Sequence, residues 1–182
     1  MRLSLLICTL GVRKHFLDRL MASLEEQIVS YKNDVEILIE KDNGRRTIGY
    51  KRNVLMHKAC GDYVAFIDDD DLVANSYIKL IMKGLEFNED VCGIEGVMKT
   101  NNKNPKRFTH SIRYSRWFEK KGVYYRPPNH LNPVKREIAL KCDFPNVNNY
   151  EDREYSKKLR RYLKTEHYIS KPIYYYLYRT NK

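Results

Sequence analysis

Apolar residues follow two rhythms along this chain. Short, mostly apolar runs, Leu3–Cys8, Val35–Ile39, Tyr63–Ile67, Val91–Met98 and Tyr168–Tyr178, have the length of buried strands. Between them, apolar positions recur every third or fourth residue, the spacing of a helix face packed on a sheet. Arg13–Tyr31 shows it at Phe16, Leu17, Leu20, Met21, Leu24 and Ile28, and Gly49–Ala59 at Val54, Leu55 and Met56. A third such helix, capped by Asn75, carries Tyr77, Ile78, Ile81, Met82 and Leu85. Asn132-Pro133 is expected to start a short helix to Lys141, and Tyr150–Lys164 a last one with Tyr155, Leu159 and Leu163 on one face. Asn33-Asp34, Asn43-Gly44, Cys60-Gly61-Asp62 and Pro127-Pro128 punctuate these segments. Asn101–Pro105 reads as a polar loop, and Arg107–Arg126, rich in aromatic and basic residues, as strand and loop material.

Strand, helix, strand, helix, strand over the first seventy residues predicts a parallel α/β unit of the doubly wound kind. The expected fold class is a Rossmann-like α/β protein: one mixed, mainly parallel central sheet flanked by helices, as a single domain over residues 1–182. In such sheets ligands bind beyond the carboxyl ends of the strands. Thr9, Asp42 and Asp68 all fall at such ends, so one crevice is expected to collect them.

The third strand runs into four consecutive carboxylates, Asp68-Asp69-Asp70-Asp71. Two like charges ~4 Å apart repel by roughly 1 kcal/mol in water and roughly 4 at an effective dielectric of 20, so the cluster calls for a positive partner. Alternation along an extended chain would point Asp68 and Asp70 one way and Asp69 and Asp71 the other. An Asp-x-Asp pair of this kind is an oxygen-only site suited to Mg²⁺ or Mn²⁺, which also keep waters and phosphate oxygens as ligands. The plain alternative is a solvated acidic turn that caps the next helix.

Composition changes the picture in three respects. The chain has 15 tyrosines and a net charge of +11, which implies an anionic partner: a nucleotide diphosphate, a nucleic acid or an acidic surface. Cys8, Cys60, Cys92 and Cys142 have no Cys-x-x-Cys spacing, and three lie in apolar segments, so they are expected to be thiols in a reducing compartment. No run approaches the roughly 20 apolar residues of a membrane span, and Leu3–Leu10 is too short for a signal peptide. A soluble, cytoplasmic protein is expected.

Neither a Gly-x-Gly-x-x-Gly after the first strand nor a Walker A spacing is present. What the residues do carry, in order, is Thr9 at a strand end, Asp42-Asn43-Gly44, Gly49-Tyr50-Lys51-Arg52-Asn53, Gly61-Asp62 before the third strand, the aspartates, and later Glu151-Asp152. This series resembles the GT-A fold glycosyltransferases of the family-2 kind. The resemblance covers the first hundred residues well, is weaker over 129–156 and weakest over 101–126. It implies a nucleotide-sugar-binding half over 1–100 and an acceptor-binding half over 101–182. It implies that Thr9 lines the nucleotide pocket, that Asp42 meets the base, and that Arg52 lies near base or diphosphate. It places Asp68 on the ribose, with Asp69 beside it in the donor site, and Asp70 on a metal that bridges the diphosphate. Asp152, with Glu151, is implied as the general base of an inverting transfer. The family usually has Gly before this pair, where this chain has Tyr150. His130 is a candidate for the metal or diphosphate, against the alternative of a structural loop histidine. Trp117, Tyr124, Tyr125 and Arg126 are candidates for the acceptor subsite, against core and strand packing.

The function expected from this reading is metal-dependent transfer of a sugar from a nucleotide-diphosphate donor to an acceptor hydroxyl. The acceptor is a glycan, a lipid-linked sugar or an anionic polymer such as DNA with hydroxylated bases. Two other classes compete: a nucleotidyltransferase, which would release pyrophosphate, and a non-catalytic nucleic-acid-binding protein.

Overall fold

The computed structural model describes residues 1–180. Ten strands form one sheet: β1 (Leu3–Leu10), β2 (Val35–Asp42), β3 (Tyr63–Phe66), β4 (Leu72–Val73), β5 (Val91–Thr100), β6 (Lys103–His110), β7 (Phe118–Lys120), β8 (Val123–Arg126), β9 (Val134–Lys135) and β10 (Glu166–Tyr178). The helices are α1 (Lys14–Ile28), α2 (Ile48–Lys58), α3 (Tyr77–Leu85), α4 (Arg136–Ala139) and α5 (Glu151–Leu159). The sheet order is β2-β1-β3-β9-β5-β6-β8-β7, with β10 pairing to β5 and β4. β1 is parallel to both β2 and β3, as the alternating pattern requires. Beyond β3 the sheet becomes mixed: β9 is antiparallel to β3 and β5, and β10 is parallel to β5.

β1 lies between β2 and β3, and both of its faces are buried. Leu3, Leu5 and Ile7 face a core completed by Leu20 and Leu24 of α1 and by Ile78, Ile81 and Leu85 of α3. Leu6 and Cys8 face the other way, against Leu55 and Met56 of α2, Ile138 of α4 and Tyr155 and Leu159 of α5. This is the period-2 alternation of a strand between two helix layers. Each fully buried leucine contributes roughly 1.5–3 kcal/mol, so the two layers fix the strand's position firmly.

Several boundaries differ from the pattern-based expectation, each for a local reason. Asn101–Pro105 is not an irregular loop. Asn101 and Asn102 both take left-handed φ (49° and 60°) in a tight turn between β5 and β6, and Lys103–Pro105 already belong to β6. Such turns need φ > 0 at both central residues, and asparagine tolerates it. The helix expected at Asn132 starts only at Arg136, because Val134–Lys135 first pair with β3. Asn75 does not cap α3; Ser76 precedes it without a capping bond. Phe16 is not a core residue of α1 but lies under the guanidinium groups of Arg13, Arg19 and Arg179. On α2, Val54 is only half-buried, whereas Lys51 and Arg52 are buried beside Leu55 and Met56. Cys8, Cys92 and Cys142 are buried free thiols and Cys60 is exposed. Among the described residues, no helix is long and apolar enough to cross a membrane.

Candidate active site

β1, β2 and β3 end side by side, and beyond them opens a cavity of about 820 Å³. Thr9, Arg52, Asp68, Asp69 and Asp70 line it from the strand-end side, and Asn149 to Asp152 and Tyr176 to Arg179 from the other. The expected alternation of the aspartates fails at Asp69. β3 ends at Phe66, and the chain turns, with Asp71 N–H donating to the Asp68 carbonyl at 3.1 Å. Asp68, Asp69 and Asp70 therefore all face the cavity, and Asp71 alone turns inward. There it accepts from Tyr174 Oη and from Leu177 N–H, both at 2.8 Å, and burial pushes its carboxyl well above the usual range. These two bonds fasten β10 to the acidic turn and so bring Tyr176 and Arg179 to the cavity wall.

Each cavity aspartate has a cationic neighbour, which answers the repulsion among them. Arg13 lies 2.6 Å from Asp69 Oδ1 and 2.7 Å from Asp70 Oδ2, and Arg179 lies 3.5 Å from the same Asp70 oxygen. Thr9 Oγ1 donates to Asp69 Oδ2 at 2.6 Å. Burial raises the Asp69 carboxyl, and Thr9 and Arg13 offset only part of that rise. Arg52 is buried between Asp68 (2.9 Å) and Glu151 (2.8 Å) and stands over the rings of Phe66 and Phe144. Burial alone would lower its pKa, but the two carboxylates outweigh it and raise it. Asp68 shows the mirror image: burial opposes its charge, yet Arg52 and His130 hold its carboxyl well below the ordinary range. Arg52 is thus an internal tie between β3 and α5 rather than a surface charge of α2.

Glu151 and Asp152 open α5, where acidic residues suit the helix dipole. Glu151 is buried and held by Arg52, and burial raises its pKa. Asp152 is less buried and faces the cavity, with Oδ1 accepting from Arg153 N–H. Tyr150 precedes them with φ 64°, a left-handed backbone that glycine adopts freely and tyrosine does not. α5 is set in place by Ser156, which donates to the Pro128 carbonyl at 2.7 Å. The loop before it is held against α2 at Gly49, where a Cβ would lie 1.9 Å from the Pro145 carbonyl oxygen.

The remaining expected residues divide. Asp42 is not in the cavity wall: its carboxylate binds Lys51 Nζ at 2.9 Å and accepts from Arg46 N–H at 2.9 Å. The Lys51 bond leads the effects that bring its pKa down to about 2. His130 approaches Asp68 (3.5 Å) rather than Asp70, and its buried Nδ1 has no partner among the described residues. Trp117 and Arg126 line the cavity, with the guanidinium 4.3 Å from the ring centroid. Tyr125 lies outside it, stacked on Phe118 at 4.9 Å. Sequence reasoning missed Arg13, Lys51, Arg46 and Arg179. For Arg13 and Lys51 a signal existed, since one follows the first strand end directly and the other adjoins Arg52. His110, without an expected role, is fully buried, and burial depresses its pKa to about 3.

Among the described residues, no three His, Cys, Asp or Glu side chains converge into a metal cage made by protein alone. Mg²⁺ and Mn²⁺ need less, because one or two carboxylates plus phosphate oxygens and waters complete their shell. The Asp70 carboxylate at the cavity is an oxygen donor that fits such a cation as a site shared with a diphosphate.

Residues 39–144, more than half of the chain, match the family described as Glycosyl transferase family 2. Among solved structures, that of S. aureus TarS 1-349 superposes with a TM-score of 0.67 at 15% identity, covering 97% of this chain and 60% of that one. The complex of TarS 1-349 with UDP-GlcNAc gives 0.66 at 16% identity, covering 100% and 60%. At these identities the likeness is one of fold, and the chain spans about 60% of the length of those structures. No curated protein matches the sequence. The family match spans β3, the acidic turn and the cavity-lining part of α2, and the GT-A architecture is shared over the whole length: the chain belongs to glycosyl transferase family 2.

Proposed function

We propose that the chain transfers a sugar from a nucleoside-diphosphate donor to an acceptor hydroxyl, with inversion at the anomeric carbon. The observation that carries this reading is the meeting, in one cavity, of the acidic turn with its arginines and the first turn of α5. Residues 1–100, joined by Arg179, serve the donor, and the rest of 101–182 serves the acceptor. Thr9 and Asp69 shape the floor of the donor pocket, Asp68 is placed for a ribose hydroxyl, and the Asp42 loop closes the end where a base would lie. Arg13 and Arg179 are cations at hand for the diphosphate. Asp70 would hold a divalent cation which, when bound, supplies Lewis-acid stabilisation of the departing diphosphate.

In the transfer, the acceptor oxygen forms a bond to the sugar's anomeric carbon as the bond from that carbon to the diphosphate oxygen breaks. The electron pair leaves with the nucleoside diphosphate, and the acceptor proton passes to Asp152. Asp152 is assigned this role over Glu151 because Glu151 is already committed to Arg52. Glu151 is a positioning residue that holds Arg52, and through it Asp68. The nucleotide-bound TarS relative supports a uridine diphosphate sugar as the first donor to try. The family match favours this reading over a nucleotidyltransferase.

The test is UDP release and product mass from UDP-sugars with two acceptor sets, oligosaccharides and oligonucleotides with hydroxymethylated bases. Asp152→Asn is expected to lower turnover by about 10²–10⁴-fold with donor KM unchanged. Full turnover in that variant contradicts the assignment.

A further inference from the structure

The segment Lys99–Arg126, which forms the edge of the sheet farthest from the donor side, carries most of the protein's net positive charge. Between Lys99 and Arg126 there are nine lysines and arginines against one acidic residue, Glu119, in a chain whose net charge is +11. Lys106 pairs with Glu119 and Arg107 with Glu95. The other seven make no ion pair among the described residues, and all of them except Arg126 are exposed. A protein that had only to bind a dianionic donor in its cavity would gain nothing from exposed cations on these outer strands.

The register places two of these nine cations, Lys106 and Arg126, together with aromatic rings on one face of this extension. Met98 pairs with Lys106, Phe108 with Tyr124, and His110 with Arg126. These side chains therefore share a face, and Met98, Phe108, His110 and Arg126 continue it into the cavity wall. Along it runs a file in which cation and ring alternate. Lys106 Nζ is 5.0 Å from the Tyr124 ring, the Arg126 guanidinium is 5.6 Å from the same ring, and that guanidinium is 4.3 Å from Trp117. Trp117 remains 41% exposed, so much of the ring is open to a ligand. At the inner end, Arg126 and Asp152 line the same cavity, so the file leads toward the carboxylate assigned as base.

We propose that this ledge, on β6, β7 and β8, docks a single-stranded polynucleotide and leads one of its hydroxyl-bearing units to Asp152. The inference deepens the glycosyltransferase reading and rests on it. Cations that track phosphates, with exposed rings on which unpaired bases stack, are the two parts of a sequence-tolerant single-strand site. A duplex would meet the cations but keep its bases from Trp117 unless one left the stack. A neutral glycan could use the rings and would leave seven cations unmatched.

The experiment is fluorescence anisotropy with a labelled single-stranded DNA 20-mer, the matching duplex, and heparin as a competing polyanion. Three proteins are compared: the unaltered chain, Trp117→Ala, and the triple variant Lys103→Glu/Arg116→Glu/Lys121→Glu on exposed positions outside the cavity wall. Single-strand affinity is expected to fall about tenfold or more between 50 and 200 mM salt, as for several phosphate contacts. The triple variant should weaken both nucleic acids at least tenfold. Trp117→Ala should weaken the single strand about fivefold or more and leave the duplex unchanged. Absence of single-strand binding, or indifference to the triple variant, overturns the proposal. So does equal competition by heparin with no effect of Trp117→Ala, which would describe a mere polycation. UDP binding, measured by calorimetry on the unaltered chain and the triple variant, should be equal. If the unaltered chain binds the 20-mer in the expected pattern but no UDP, the ledge is supported and the donor reading falls.

Discussion

Arg52 stands between Asp68 and Glu151 with its guanidinium sealed under Phe66 and Phe144. One side chain thereby pairs with two carboxylates that belong to different elements, the strand end of β3 and the start of α5. Removing a single member of a buried ionic group leaves the rest uncompensated, at a cost of about 3–5 kcal/mol. Arg52→Ala should therefore lose about that much stability in urea denaturation, as well as donor binding. A loss below about 1 kcal/mol would mean that the triad is solvated and does not tie the elements together. Arg13 plays a looser part. It spans Asp69 and Asp70 from the segment after β1 and is partly exposed.

At the scale of elements, the first turn of α5 shows how function departs from local preference. Tyr150 adopts φ 64° on an exposed side chain, so its backbone cost of roughly 1–2 kcal/mol is offset by little packing. The left-handed residue aims the following Glu151 and Asp152 into the cavity. Tyr150→Gly should stabilise the fold by up to about 1 kcal/mol, since relief of strain exceeds the added chain entropy of glycine. Tyr150→Ala, still left-handed, should give no gain in the same thermal denaturation series. A destabilising Tyr150→Gly would show that the tyrosine side chain, not the backbone, sets the turn.

For the whole molecule, the parallel half was legible because short apolar runs and 3.6-period helices say the same thing over residues 3–85. The strand ends then converge by topology alone, and Thr9 and Asp68 followed from it. What escaped were features set by contacts between distant segments. Lys51 and Arg52 look like exposed charges on α2 until Asp42, Asp68 and Glu151 are brought to them. β9 is two residues long and exists only because β3 and β5 flank it. The inward turn of Asp71 depends on Tyr174 and Leu177, about a hundred residues away. The acidic cluster was visible, while the division of labour within it was not. The central claim is that this cluster and its arginines form a donor site, and it is tested most directly by calorimetry of UDP and UDP-GlcNAc with and without Mn²⁺. The account predicts binding that requires the metal and disappears in Asp70→Ala. No nucleotide binding, or binding indifferent both to Mn²⁺ and to Asp70→Ala, would contradict it.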